Sequence, residues 1–170
     1  AMLDPTTLFT TLAHEGYPGH LYQTVYTQLL DLDPLNDELG ASGYSEGWAT
    51  YVEYEYAYSY MDESETYRRL ARVNSLLSLE ISALVDMQVN WAGWSEDQLV
   101  EWLDAMGFNG DAAGDLMAHV CAEPGNYMTY AGGYLEFMEL RRTAEDTLGS
   151  AFDEMAFHTW LLDQGSAPFP

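Results

Sequence analysis

The stretch Tyr44-Ser45-Glu46-Gly47-Trp48-Ala49-Thr50-Tyr51-Val52-Glu53-Tyr54-Glu55-Tyr56-Ala57-Tyr58-Ser59-Tyr60 decides the fold class. Tyr54, Tyr56, Tyr58 and Tyr60 alternate as strand residues do, and aromatic side chains suit a pleated surface. Glu and Ala fill the positions between them. Helix is therefore the preferred reading, opening at Ser42 or Ser45 and running to about Met61.

The flanking sequence agrees with helix. Residues 6 to about 30 read as a first helix interrupted at Pro18-Gly19, followed by a loop over residues 31–37. Asp62 or Ser64 opens a long helix to Asn90. Its series Leu70, Val73, Leu76, Leu77, Ile81, Leu84 and Val85 predicts one buried face. Ser95-Glu96-Asp97-Gln98 is an N-cap with acid in the first turn, opening a short helix that stops at Gly107. Asp111 to Cys121 is another short helix. Pro124-Gly125 precedes a long one from about Tyr127 to Thr147, ended by Gly149, and Phe152 to Asp163 is the last. The expected class is all-α, a single multi-helix domain over residues 1–170.

Composition narrows the function. The chain carries 28 acidic residues against five arginines and no lysine, a formal net charge of −23. Nucleic acid is a poor partner, since phosphate binding needs basic patches. An anionic membrane surface is disfavoured for the same reason. The acid reads as a solubilising surface suited to a salty medium, or as a field attracting cations. No apolar run approaches the ~18–20 residues needed to cross a bilayer. No signal-peptide pattern opens the chain, and Ala1-Met2 reads as an addition before an internal start. The chain is thus expected to be a piece of a longer protein, whose location in cytoplasm or cell envelope the sequence leaves open. The single cysteine, Cys121, excludes an internal disulfide and reads as a small buried hydrophobe.

The chemistry concentrates in His14-Glu15-Gly16-Tyr17-Pro18-Gly19-His20. Two imidazoles and a carboxylate make the open coordination sphere of a catalytic zinc, and a Glu beside the first His is where a metallopeptidase keeps its general base. The spacing is unusual. Six residues rotate a regular helix by roughly 240° beyond the last full turn, which puts the histidines on different faces. Pro18 removes a backbone donor and Gly19 tolerates unusual backbone angles, so a bulge or wide turn there would re-phase them. Glu46, on the second helix and 26 residues past His20, supplies the third ligand if the two helices form a hairpin. Glu53 lies seven residues further, on nearly the same face, where it would orient a ligating histidine.

With its downstream partners, this pair of motifs resembles a bacterial family catalogued as domain of unknown function eight-eight-five, read as zinc metallopeptidases. The likeness rests on His14-Glu15-Gly16-Tyr17-Pro18-Gly19-His20-Leu21-Tyr22-Gln23 and on Ser45-Glu46-Gly47-Trp48-Ala49 with Tyr51 and Glu53. It continues through Asp86, Gly93-Trp94-Ser95, Pro124-Gly125, Tyr130 with Gly133, Leu140-Arg141, Ala144, Leu148-Gly149, Phe152, Phe157-His158, Gly165 and Pro168. The resemblance implies a mostly helical peptidase fold, one zinc ion on His14, His20 and Glu46, and a peptide substrate. It also implies full-length proteins several times longer than this chain, with these motifs in their C-terminal part. Helices outside the chain would then form the other wall of the cleft. Without them the chain is expected to expose an apolar face through which copies associate. Three positions depart from the family pattern: Asn90 stands where His is frequent, His119 where Arg is frequent, and Ala131 where Lys is frequent. These departures bear on substrate contacts more than on metal.

Within this frame Glu15 is the expected general base and Tyr130 the expected oxyanion partner. Tyr127, Tyr130 and Tyr134 also read as a packing stripe. His158 is a structural histidine or a transition-state donor. His119 is a substitute for the missing Arg. Arg141 and Arg142 are expected to pair with the acidic excess. The leading expectation is a zinc-dependent peptidase. The alternatives are a non-catalytic helical metal-binding or interaction module, and a metal-dependent amide or ester hydrolase.

Overall fold

The computed structural model describes residues 4–33, 36 and 40–169, so part of the expected 31–37 loop lies outside the described residues. No strand occurs among them. The helices are α1 (Pro5–Glu15), α2 (His20–Gln28), α3 (Ser42–Glu55), α4 (Glu65–Asn90), α5 (Glu96–Ala105), α6 (Ala113–Ala122), α7 (Asn126–Leu148) and α8 (Glu154–Asp163), with short 3-10 turns at Ala57–Tyr60, Gly110–Ala112 and Gly149–Ala151.

The Tyr-rich stretch is helical but for a turn at Tyr56. It is α-helical to Glu55 and continues as a 3-10 turn over Ala57–Tyr60. Alternation does not make a strand here, because most of these rings are buried in a helical core. Tyr44, Trp48, Tyr51, Val52, Tyr54 and Tyr58 pack against Tyr134 and Phe137 of α7 and Phe157 and Leu161 of α8. Each large side chain fully buried in this way contributes about 1.5–3 kcal/mol. The Tyr44 hydroxyl donates to Leu161 O at 2.6 Å, so its polar end is satisfied inside the core.

α3 and α7 form the central pair, and glycine lets them touch backbone to backbone. A Cβ on Gly47 would lie 2.6 Å from the carbonyl carbon of Gly133, and one on Gly133 would lie 2.1 Å from Gly43 O. α1 and α2 pack on α3. A second cluster, Val85, Leu99, Leu103, Ala113 and Val120, joins α4, α5 and α6.

Helix ends follow the local chemistry. Asp4 accepts from Thr7 N and Pro5 opens α1. Ser64 caps α4. Ser95 and Gln98 make a reciprocal capping box on α5. Asp86 is buried inside α4. Its Oδ1 accepts from Gly125 N at 3.0 Å and from Asn90 Nδ2 at 2.8 Å, which ties α4 to the turn that starts α7.

The expected interruption of the first helix is wider than the Pro18-Gly19 pair that signals it, because Gly16 to Gly19 all leave the helical path. Two expectations need correction. The apolar series of α4 is not one buried face. Val85 is buried, whereas Leu70, Val73, Leu77 and Leu84 are exposed. The exposed members fall on one stripe, and the members that find partners flank it, Leu76 against the main core and Ile81 and Val85 against the second cluster. Cys121 is exposed. α6 buries Ala113 and Val120, which lie seven residues apart on one face, and the next residue turns about 100° toward solvent. No helix among the described residues is long and apolar enough to cross a membrane.

Candidate metal centre

Three helices meet at the His-Glu stretch. His14 is the penultimate residue of α1, and His20 is the first residue of α2. The four residues between the two helices, 16–19, fold back, with Gly16 N donating to Leu12 O and Gly19 N donating to Ala13 O, each at 2.9 Å. The Tyr17–Pro18 peptide is cis. A Cβ on Gly19 would sit 1.7 Å from His14 O, so only glycine permits this fold-back. Trp48 Nε1 donates to Pro18 O at 3.0 Å and fastens the turn to α3. The outcome is that the imidazoles of His14 and His20 meet edge to face, with centroids 4.8 Å apart.

Glu46 completes the group from the second turn of α3. Its Oε2 lies 3.2 Å from His20 Nε2 and 3.5 Å from His14 Nε2. One ligand atom from each of the three residues falls within 4.8 Å of the others. A tetrahedral zinc with arms of ~2.0–2.1 Å has ligand–ligand edges of about 3.3 Å, so two edges already match and the donor set is that of a His2Glu site. The remaining ring nitrogens are held from behind. His14 Nδ1 lies 3.0 Å from Glu53 Oε2, and His20 Nδ1 lies 3.4 Å from Ser45 Oγ. Ser45 in turn donates to the buried Gln23 at 3.3 Å. An imidazole whose Nδ1–H is held by a carboxylate presents Nε2 as a ligand.

The electrostatics are those of tightly paired groups. Burial alone would depress the His14 pKa, but Glu46 and Glu53 outweigh it and push it up to about 9. Burial would raise Glu46, but His14 and His20 outweigh it and bring it down to about 2. Tyr130 stacks on His14 with centroids 6.0 Å apart. Burial, then the charges of Glu46 and Glu15, raise its phenol above the ordinary value. Glu15 is exposed at the end of α1, and its charge acts on both His14 and Tyr130.

His14, Glu15, His20, Glu46, Glu53 and Tyr130 are thus brought together, and two other candidates are not. His119 is exposed on α6 with its ring against Tyr127 at 5.7 Å. His158 belongs to a separate polar cluster, its Nε2 3.0 Å from Tyr51 OH and 3.2 Å from Tyr56 OH. Burial lowers its pKa, so it is a neutral imidazole at pH 7. Arg141 donates to Tyr51 OH at 2.9 Å and pairs with Glu154 at 2.7 Å, and Arg142 pairs with Glu139 and Asp146. Sequence reasoning missed Ser45, Trp48 and the glycine contact. The spacing Gly43-x-x-x-Gly47 was the one available signal for the contact. At the departing positions, Asn90 donates to Val120 O at 2.9 Å and Ala131 is buried, so both serve the packing of this chain.

No curated protein matches the chain. A structure from Shewanella oneidensis, described as a "putative lipoprotein of unknown function", matches with TM-score 0.77 and 23% identity over 98% of this chain and 30% of that one. A "putative lipoprotein" from Colwellia psychrerythraea matches with TM-score 0.77 and 29% identity over 94% of this chain and 28% of that one. The chain therefore spans less than a third of the length of these structures. Residues 4–170 match the model of the family described as "Bacterial protein of unknown function (DUF885)", and the chain belongs to that family.

Proposed function

We propose that this chain is the zinc-binding part of a peptidase, with His14, His20 and Glu46 holding one zinc ion and a peptide as substrate. The observation that carries the reading is the convergence of two imidazole Nε2 atoms and one carboxylate oxygen from three helices, with Glu53 behind His14. A zinc ion held there would polarise the scissile carbonyl and acidify a water molecule. Glu15, exposed at the rim, would take the proton from that water and pass it to the leaving amine. Tyr130, a phenol and so protonated at pH 7, would donate to the oxygen on which negative charge develops. Glu53 would fix the His14 ring.

The test uses the longer parent protein, zinc-loaded, against a mixed peptide library, beside its Glu15→Gln variant. Hydrolysis that is lost in the variant while zinc is retained supports the reading. Turnover that survives the variant removes Glu15 as base. Hydrolysis of small esters or amides but of no peptide would move the site to another hydrolase class. A second reading rests on one observation: Glu46 already pairs with both histidines. Such a self-satisfied cluster suits a non-catalytic helical module. A zinc-loaded parent that hydrolyses nothing in the screen supports that reading.

A further inference from the structure

A second concavity lies on the other side of the metal-bearing turn. Around α3, Glu46 and Glu53 share a face, while Trp48 is rotated about 200° from Glu46. Trp48, with Pro18 and Ala13, lines a cavity of about 610 Å³. Its walls are aromatic and include Tyr17, Tyr22, Tyr56 and Tyr60. Glu154 is the one lining residue of fixed charge among those described. Tyr56 OH donates to Glu154 Oε1 at 2.6 Å, and Arg141 pairs with the same oxygen from outside the lining. Both of these contacts fall on Oε1. None of these polar groups is used by the proposed metal chemistry.

Volume and lining fit a small-molecule site, which is mostly apolar with a few placed polar groups. The chemistry selects the sign of the ligand. Aromatic faces carry negative potential and attract cations. A carboxylate stands at the wall, and its partner Arg141 is shared with Glu145, so the three groups keep a net charge of −1 within a chain at −23. An anionic ligand would meet repulsion from each of these. We infer that the cavity binds a small organic cation, an ammonium or quaternary ammonium group carried on an aromatic or branched apolar body. The cation would lie against lining tyrosines other than Tyr56, over which Arg141 already sits, with the body on Trp48 and Val52. The site is distinct from the His14–His20–Glu46 group and does not depend on it.

Isothermal titration of the chain with benzyltrimethylammonium, benzyl alcohol and phenylacetate tests this directly. The expected order is cation, then neutral compound, then anion, with the cation about tenfold tighter than the alcohol. Met155 lines the cavity at an exposed position, so Met155→Arg changes charge without disturbing the core. It should weaken the cation about tenfold, whereas Met155→Leu should leave it unchanged. Glu154→Gln should weaken it several-fold, and His20→Ala should leave it intact. Circular dichroism melts of each variant verify folding. Equal affinity for the three probes, no binding of any of them, or a cation affinity indifferent to Met155→Arg would overturn the inference. Binding lost in the longer parent would assign the cavity to intramolecular packing and overturn it as well.

Discussion

Substitution of Gly47 probes the frame that carries Glu46. An alanine Cβ there would lie 2.6, 2.7 and 2.8 Å from the carbonyl carbon, Cα and oxygen of Gly133. All three are backbone atoms and cannot swing aside. Ordinary carbon contacts begin at about 3.4 Å, so α3 and α7 would have to part by roughly 0.8 Å. Overpacking of this kind costs about 1–3 kcal/mol. For a chain of this size that lowers the melting midpoint by roughly 3–10 °C. Gly43, one turn earlier on the same helix, would present its Cβ to open space. Gly43→Ala removes backbone entropy from the unfolded chain and should stabilise by up to about 1 kcal/mol. Thermal melts followed by circular dichroism compare the pair. If Gly47→Ala melted at or above Gly43→Ala, the backbone contact would not be what sets the α3–α7 distance.

Three further outcomes are expected. Glu53→Gln should weaken zinc binding by about 10–100-fold, read by competition with a chromophoric chelator; an unchanged constant would show that Glu53 does not hold His14. His14 is raised to about 9 from an ordinary 6.5, so its contribution to metal-free stability is full below pH 6.5 and is lost as pH rises through about 9. Glu46 is lowered to about 2 from 4.5, so its share is present above pH 4.5 and lost as pH falls through about 2. Zinc must displace the His14 proton, and calorimetry at pH 7 in buffers of different ionisation enthalpy should show about one proton released; no buffer dependence would contradict the pairing. Asp86→Ala should cost about 1–3 kcal/mol in urea, because it leaves Gly125 N–H and Asn90 without their buried acceptor.

Periodic and punctuating residues made much of the fold legible. Ser64, the Ser95–Gln98 box, Gly107, Pro124-Gly125 and Gly149 mark helix ends through local backbone chemistry, and they fall where the helices end. The Tyr-rich stretch was readable as helix because strand alternation competed with helix-forming Glu and Ala. The burial of α4 was not legible. Periodicity shows that Leu70, Val73, Leu77 and Val85 are apolar, but which stripe is covered depends on helices distant in sequence. Cys121 failed for the same reason, being one residue past the buried Val120. At the site, Pro18 and Gly19 signalled a re-phasing between the histidines. Its form, a fold-back with Gly19 N on Ala13 O and Trp48 on Pro18 O, depends on a helix 30 residues away and was not legible. Ser45 stood in the motif beside Glu46, but its contact with the His20 ring depends on how α2 meets α3 and was not legible.

Metal content tests the central claim most directly. The chain, His20→Ala and Glu46→Gln are each dialysed against trace zinc, and bound metal is measured by elemental mass spectrometry with folding verified by circular dichroism. The account predicts about one zinc per chain, lost in His20→Ala and strongly reduced in Glu46→Gln. A folded chain that takes up no zinc, or one that retains it in both variants, would contradict it.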